Sequence, residues 1–125
     1  MKNLFLFILI LVSGSVFGQN AKPSVAAGNN ITITLPTSTV SLVGKACDAD
    51  GTVSTYRWSG NAGTITSPNS ASTTVTGLSA AGNYVFKLKA TDNSGLTDSS
   101  SMTVIVNPAL PPQNNTEPSD RDWET

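Results

Sequence analysis

From Ile31 to Val106 the chain repeats one pattern, with apolar residues at every second position and Thr, Ser or Lys between them. Ile31, Ile33 and Leu35 alternate with Thr32 and Thr34, and Val40 and Leu42 repeat the motif up to Gly44. Tyr56 and Trp58 fall on one face, with Thr55, Arg57 and Ser59 on the other. The longest run sets Tyr84, Phe86, Leu88 and Ala90 against Val85, Lys87 and Lys89, and Met102, Val104 and Val106 close the series. Successive side chains of a strand point to opposite faces, so each run predicts a strand with one buried side. Shorter segments at Ile65 and Thr73–Val75 fit the same scheme. Turn signals at Asp48-Ala49-Asp50-Gly51, Gly60–Gly63, Pro68-Asn69 and Asn93-Ser94-Gly95 separate the runs. No segment holds a helical period beyond one turn. The pattern predicts an all-β, immunoglobulin-like β-sandwich of about seven antiparallel strands.

Both ends depart from this pattern. Met1-Lys2-Asn3 precedes an apolar run from Leu4 through Val12, which turns small and polar at Ser13-Gly14-Ser15. Val16 and Gly18 then take the small-residue positions before Gln19, so residues 1–18 read as a secretory signal peptide. A membrane span needs about 20 apolar residues, and this run is shorter and broken by serines. Residues 19–22 form a short polar lead and residues 23–108 the folded domain. Residues 109–125 are rich in Pro, Asn and acidic groups, and such a tail is expected to be disordered. The expected destination is outside the cytoplasm: secreted, periplasmic or at the cell surface.

Composition narrows the chemistry. Without the signal, six basic residues face eight acidic ones, leaving a net charge of about −2. That balance gives no electrostatic grip on nucleic acid and no evident attraction to anionic membranes. Histidine is absent, which removes histidine-based triads and all His-containing metal sites. The single cysteine, Cys47, cannot close an internal disulfide, so the domain must stand on its packing. A lone cysteine among small residues is expected to be buried as a small hydrophobe. No Gly-rich phosphate loop and no serine with a plausible base is evident, so no enzyme is expected.

Four motifs carry a resemblance. They are Asp48-x-Asp50-Gly51, Tyr56-x-Trp58, Gly82-x-Tyr84-x-Phe86-x-Leu88-x-Ala90-x-Asp92-x-x-Gly95, and Val104-x-Val106-Asn107-Pro108. Together they resemble a polycystic kidney disease (PKD) repeat, of the variety found in exported bacterial multidomain proteins and in the dyslexia-associated membrane protein family. The resemblance runs from Pro23 to Pro108. Many such repeats carry Trp-Asp-Phe-Gly-Asp-Gly after the third strand; here Trp58 is followed by Ser59-Gly60-Asn61-Ala62-Gly63. The resemblance implies an extracellular, immunoglobulin-like module acting as a spacer, in adhesion, or in weak contacts with proteins or polysaccharides.

Some PKD repeats are similar in holding calcium with acidic residues of the first turn and the Asp after the long strand, here Asp48, Asp50 and Asp92. The commoner role of such aspartates is to accept hydrogen bonds from nearby backbone N–H groups. The bidentate Glu of an EF-hand loop is absent. No organic cofactor is expected; calcium is the one ion the pattern raises. Trp58, sharing parity with Tyr56, is expected in the core rather than on a sugar-stacking platform. Arg57, Lys87 and Lys89 face outward. Asn30-Ile31-Thr32 and Asn114-Asn115-Thr116 match the N-glycosylation pattern. The expectation is a secreted, monomeric, non-catalytic module that meets an extracellular protein or polysaccharide, with no nucleic-acid partner and no membrane contact after signal cleavage. The alternative is a carbohydrate-binding module of an exported polysaccharide-degrading system, which would show a row of aromatics on an outward face.

Overall fold

The computed structural model describes residues 19–112. The expected signal peptide and most of the expected tail lie outside the described residues. Among the described residues nine strands follow one another: β1 (Ser24–Ala26), β2 (Ile31–Thr34), β3 (Val40–Val43), β4 (Lys45–Cys47), β5 (Val53–Gly60), β6 (Thr64–Ile65), β7 (Ser72–Thr76), β8 (Gly82–Asp92) and β9 (Thr97–Asn107). They form a four-stranded sheet ordered β2-β9-β8-β5, a three-stranded sheet ordered β3-β7-β6, and a β1-β4 pair. No helix occurs among the described residues. The all-β sandwich is therefore present, with two short strands beyond the expected seven.

The two long strands dominate because their alternation is unbroken over eleven residues each. In β8, Phe86, Leu88 and Ala90 are fully buried, while Val85, Lys87 and Lys89 are exposed. In β9, Met102, Val104 and Val106 turn inward opposite Phe86, Tyr84 and Gly82. The three-stranded sheet answers with Val40, Leu42 and Val75, and Leu78 and Ala27 fill the space between. Each fully buried large apolar side chain contributes roughly 1.5–3 kcal/mol.

Trp58 sits at the centre, 1% exposed, its Nε1 donating to the Ala71 carbonyl at 3.0 Å. That bond satisfies the one polar atom the indole brings into the core. Gly44 makes room for it, since a Cβ there would strike the Leu88 and Trp58 side chains. Tyr84 is half-buried and donates its hydroxyl to the Ala80 carbonyl at 2.8 Å, tying the strand to the corner before it. Ile31, Ile33, Leu35, Tyr56 and Ile65 pack on the core from its rim and are only partly buried.

Three expectations need correction. The strands are not all antiparallel: β2 runs parallel to β9, Ile31 opposite Val104 and Thr34 opposite Asn107. Alternation shows which face is buried but not which way a neighbour runs. β1 and β4 pair antiparallel, Ser24 opposite Cys47, and are too short and too poor in large apolar residues to stand out. Cys47 is exposed rather than buried. The inward parity of Val40 and Leu42 continues through Gly44 and Ala46, which turns Cys47 outward.

Candidate functional site

Asp48, Asp50 and Asp92 meet at one pole of the sandwich, beside the β4–β5 and β8–β9 turns. The turn chemistry puts them there. Gly51 is pressed so close to the opposite turn that a Cβ would meet Asn93 Oδ1 at 2.5 Å and Asp48 Oδ2 at 2.9 Å. Asn93 crosses between the turns: its N–H donates to the Thr52 carbonyl at 3.0 Å, and its Oδ1 accepts from the Thr52 N–H at 3.2 Å. Ser54 adds its hydroxyl to the Asp92 carbonyl at 2.9 Å.

Asp92 is the buried member, 2% exposed at the last position of β8. Its Oδ1 accepts the Ser94 N–H at 2.8 Å and the Leu96 N–H at 2.9 Å, and its Oδ2 accepts Asn20 Nδ2 at 3.2 Å. Burial pushes this carboxyl upward in pKa, but the N–H groups of Leu96 and Ser94 and the Asn20 amide outweigh it and hold the group below the ordinary carboxylate value. Sequence parity would have placed Asp92 inward with Leu88 and Ala90. Parity alone does not predict burial for a charged residue, because an isolated carboxylate is costly inside a fold. The N–H donors of the following turn remove that cost.

Asp50 Oδ2 accepts the Ala21 N–H at 2.9 Å, and Lys22 Nζ lies 3.2 Å from Asp98 Oδ1, so the lead is fastened to this pole by three consecutive residues, Asn20 to Lys22. Asp48 differs. Its Oδ2 is buried with no hydrogen-bond partner. Its pKa is raised, first by desolvation and then by the Asp50 carboxylate, with Asp92 adding repulsion. Among the described residues no group of three or more carboxylates or thiols is spaced to hold a metal ion. The oxygens of Asp92 and Asp50 Oδ2 serve N–H donors, and Asp48 Oδ2 is the one buried side-chain oxygen without a partner among the described residues.

The remaining candidates are scattered. A mostly apolar cavity of about 450 Å³ opens beside β1 and β4, where Cys47, Lys45 and Tyr56 share the wall with Ala26 and Ala71. Two smaller hollows, of about 180 and 350 Å³, flank β3. Trp58 and Phe86 are buried and Tyr56 and Tyr84 half-buried, so no row of exposed aromatics lies on either sheet among the described residues. Arg57, Lys87 and Lys89 are exposed, as their parity predicts. Asn30 Oδ1 accepts the Thr103 N–H at 2.9 Å. Asn114 and Trp123 lie outside the described residues.

Comparison with known proteins bears on this arrangement. The family model described as K319L-like, PKD domain, matches residues 27–106. The human dyslexia-associated protein KIAA0319 is 37% identical over 91 residues, which span 69% of this chain and 8% of that protein. The mouse KIAA0319-like protein is 34% identical over 98 residues, 73% of this chain and 9% of that one. The chain thus spans under a tenth of either relative. Among solved structures, the PKD domain of KIAA 1837 superimposes with a TM-score of 0.61 at 33% identity, covering 78% of this chain and 97% of that domain. The PKD domain of human KIAA0319 gives 0.62 at 24% identity, covering 78% and 93%. The PKD1 domain of Vibrio anguillarum Epp, at 22% identity and 0.57, shares the fold.

Proposed function

The chain belongs to the K319L-like PKD domain family, and on that premise we propose that it is a non-catalytic extracellular module that holds its neighbours apart and meets them at its surfaces. One observation carries the spacer role. The chain comes in at the acidic pole, where Asn20, Ala21 and Lys22 bind Asp92, Asp50 and Asp98. It leaves at the other end of β9, where the Leu35 N–H donates to the Asn107 carbonyl at 3.0 Å. Those two points are separated by the whole of β9, eleven residues, or roughly 37 Å at about 3.4 Å per residue. Anything joined to the two ends is held that far apart. Export through the signal peptide is part of the same proposal.

Fluorophores placed at positions 22 and 109 test it. The expected separation is about 35–40 Å, unchanged by viscosity or moderate salt. A separation near half that value would mean that the ends fold back, and the spacer role would be lost. Intact-mass measurement of protein recovered outside the cell is expected to show a chain starting at Gln19.

Calcium at the acidic pole is proposed on a narrower footing than the sequence suggested. The free Asp48 Oδ2 supports it, with Asp50 beside it. Asp92 is left out of the ligand set because its oxygens already serve N–H donors.

A further inference from the structure

Charge is segregated in this domain. Within residues 23–108 the carboxylates are Asp48, Asp50, Asp92 and Asp98, and the cations are Lys45, Arg57, Lys87 and Lys89. Three of the carboxylates form the acidic pole, and Asp98 beside it is paired with Lys22. Three of the cations, Arg57, Lys87 and Lys89, stand on the outer face of the four-stranded sheet. No carboxylate shares that face of β2, β5, β8 or β9, because Asp92 and Asp98 carry the inward parity of Ala90 and Met102.

The register makes the segregation costly. Arg57 lies directly opposite Lys89 across the β5–β8 pair, with strands about 4.8 Å apart, and Lys87 follows on the same face about 7 Å along β8. Like charges directly opposite on neighbouring strands destabilise a sheet. None of the three makes an ion pair among the described residues, where the one salt bridge is Lys22 to Asp98. Hydroxyls surround the cations: Ser99 opposite Lys89, and Ser101 and Ser59 on either side of Lys87, all exposed. None of the three cavities opens onto this face.

We propose that this face docks an acidic polysaccharide, its uronate carboxylates paired with Arg57, Lys87 and Lys89 and its hydroxyls with the flanking serines. The inference rests on the extracellular-module reading and names a partner for it. Charge complementarity selects an anion, and the planar guanidinium of Arg57 suits a carboxylate bidentately. The closely repeated positive positions suit a polymer that repeats its anions along an extended chain. The serine rows match a hydroxyl-rich partner. An acidic peptide would look for side-chain pockets, which none of the three cavities supplies on this face, and a lipid surface would look for more apolar fringe than half-exposed Val85 and mostly buried Ile105 provide.

Affinity electrophoresis of the purified full chain through gels containing polygalacturonate tests the proposal, whether or not the protein was exported. Retardation is expected in polygalacturonate and not in uncharged dextran, weakening about tenfold or more as salt rises from about 50 to about 500 mM. The double variant Arg57→Ser, Lys89→Ser is expected to bind at least tenfold more weakly while melting no lower than the parent, since it removes opposed like charges. Lys45→Ser, on another part of the surface, is expected to bind as the parent does. Absence of retardation, undiminished binding by the double variant, or equal binding of poly-glutamate or phosphatidylglycerol vesicles would overturn it. Failure here leaves the measured distance between the two ends untouched, so it is distinguishable from failure of the spacer reading.

Discussion

Trp58 and Asp92 are buried to the same depth, 1% and 2% exposed, by opposite means. Trp58 is held by shape: Leu88 opposite it and the space at Gly44 accommodate a ring whose single polar atom has a single partner. Asp92 is held by direction: two backbone N–H groups and one amide aim at a charge with no apolar surface to contribute. The middle of the sandwich is therefore indifferent to pH, whereas the pole where the chain comes in depends on it. One fold uses dispersion where it must be tight and hydrogen bonding where it must fasten a loose segment.

The contrast breaks first at Trp58. Trp58→Ala removes the largest buried side chain and one of the two donors to the Ala71 carbonyl, leaving it the Gly44 N–H, with an expected loss of about 3–5 kcal/mol in urea unfolding. Against a total of roughly 5–15 kcal/mol, that leaves a barely folded domain. A loss below about 1 kcal/mol would mean that the core is not organised around this ring.

Asp92→Ala comes next, with an expected fall in melting temperature of roughly 5–10 °C. Asn20 and the Ser94–Leu96 turn should then exchange amide hydrogens faster while β8 and β9 stay protected; uniform loosening would erase the distinction between pole and middle.

Acid gives a third, smaller effect with a sign that differs between the two carboxylates. Asp92 has a lowered folded value, so its stabilisation is complete above the unfolded value of about 3.9 and is lost as pH falls through the folded one. Asp48 has a raised folded value, so its ionised form weakens the fold at neutral pH and that weakening is relieved first on acidification. Stability is expected to rise slightly and then fall as pH drops below neutrality. Asp48→Asn should abolish the rise and keep the fall; a profile identical to the parent would remove Asp48 as its source.

Calcium is expected to give the smallest change. At millimolar concentration it should raise the melting temperature by about 1–3 °C, and Asp48→Asn should cancel the gain. Superimposable melting curves in calcium and in chelator would leave the acidic pole as a hydrogen-bonded turn pair alone.

Much of this was legible in the chain. The alternation of Tyr84 to Ala90 and of Met102 to Val106 placed the core faces of β8 and β9, and parity put Trp58 in the core and Arg57, Lys87 and Lys89 outside. The same rule, carried two residues further along Val40, Leu42, Gly44 and Ala46, exposes Cys47; small residues carry little hydrophobic contrast, so the visible alternation ends at Gly44. The proximity of Asp48 to Asp92 followed from their two turns falling at the same end of the sandwich. What they do there did not, because a carboxylate's role is set by donors from Asn20 and Ala21, about 30 to 70 positions away in sequence. The parallel course of β2 beside β9 was equally hidden, since both directions bury the same side chains.

That parallel pair has a mechanical consequence. β2 lies beside β9 with four residues in register, and the chain reaches β2 from the acidic pole while β9 runs out towards the opposite one. Tension applied through the two ends would draw β9 one way and β2 the other, along their common axis. The bonds between them would be strained in shear, all together, instead of opening one at a time from an end as in a hairpin being unzipped. Stretching single molecules should show an abrupt, all-or-none yield; a gradual extension at low force would contradict it. In the proposed spacer role, the module would then also hold its neighbours' separation when they pull.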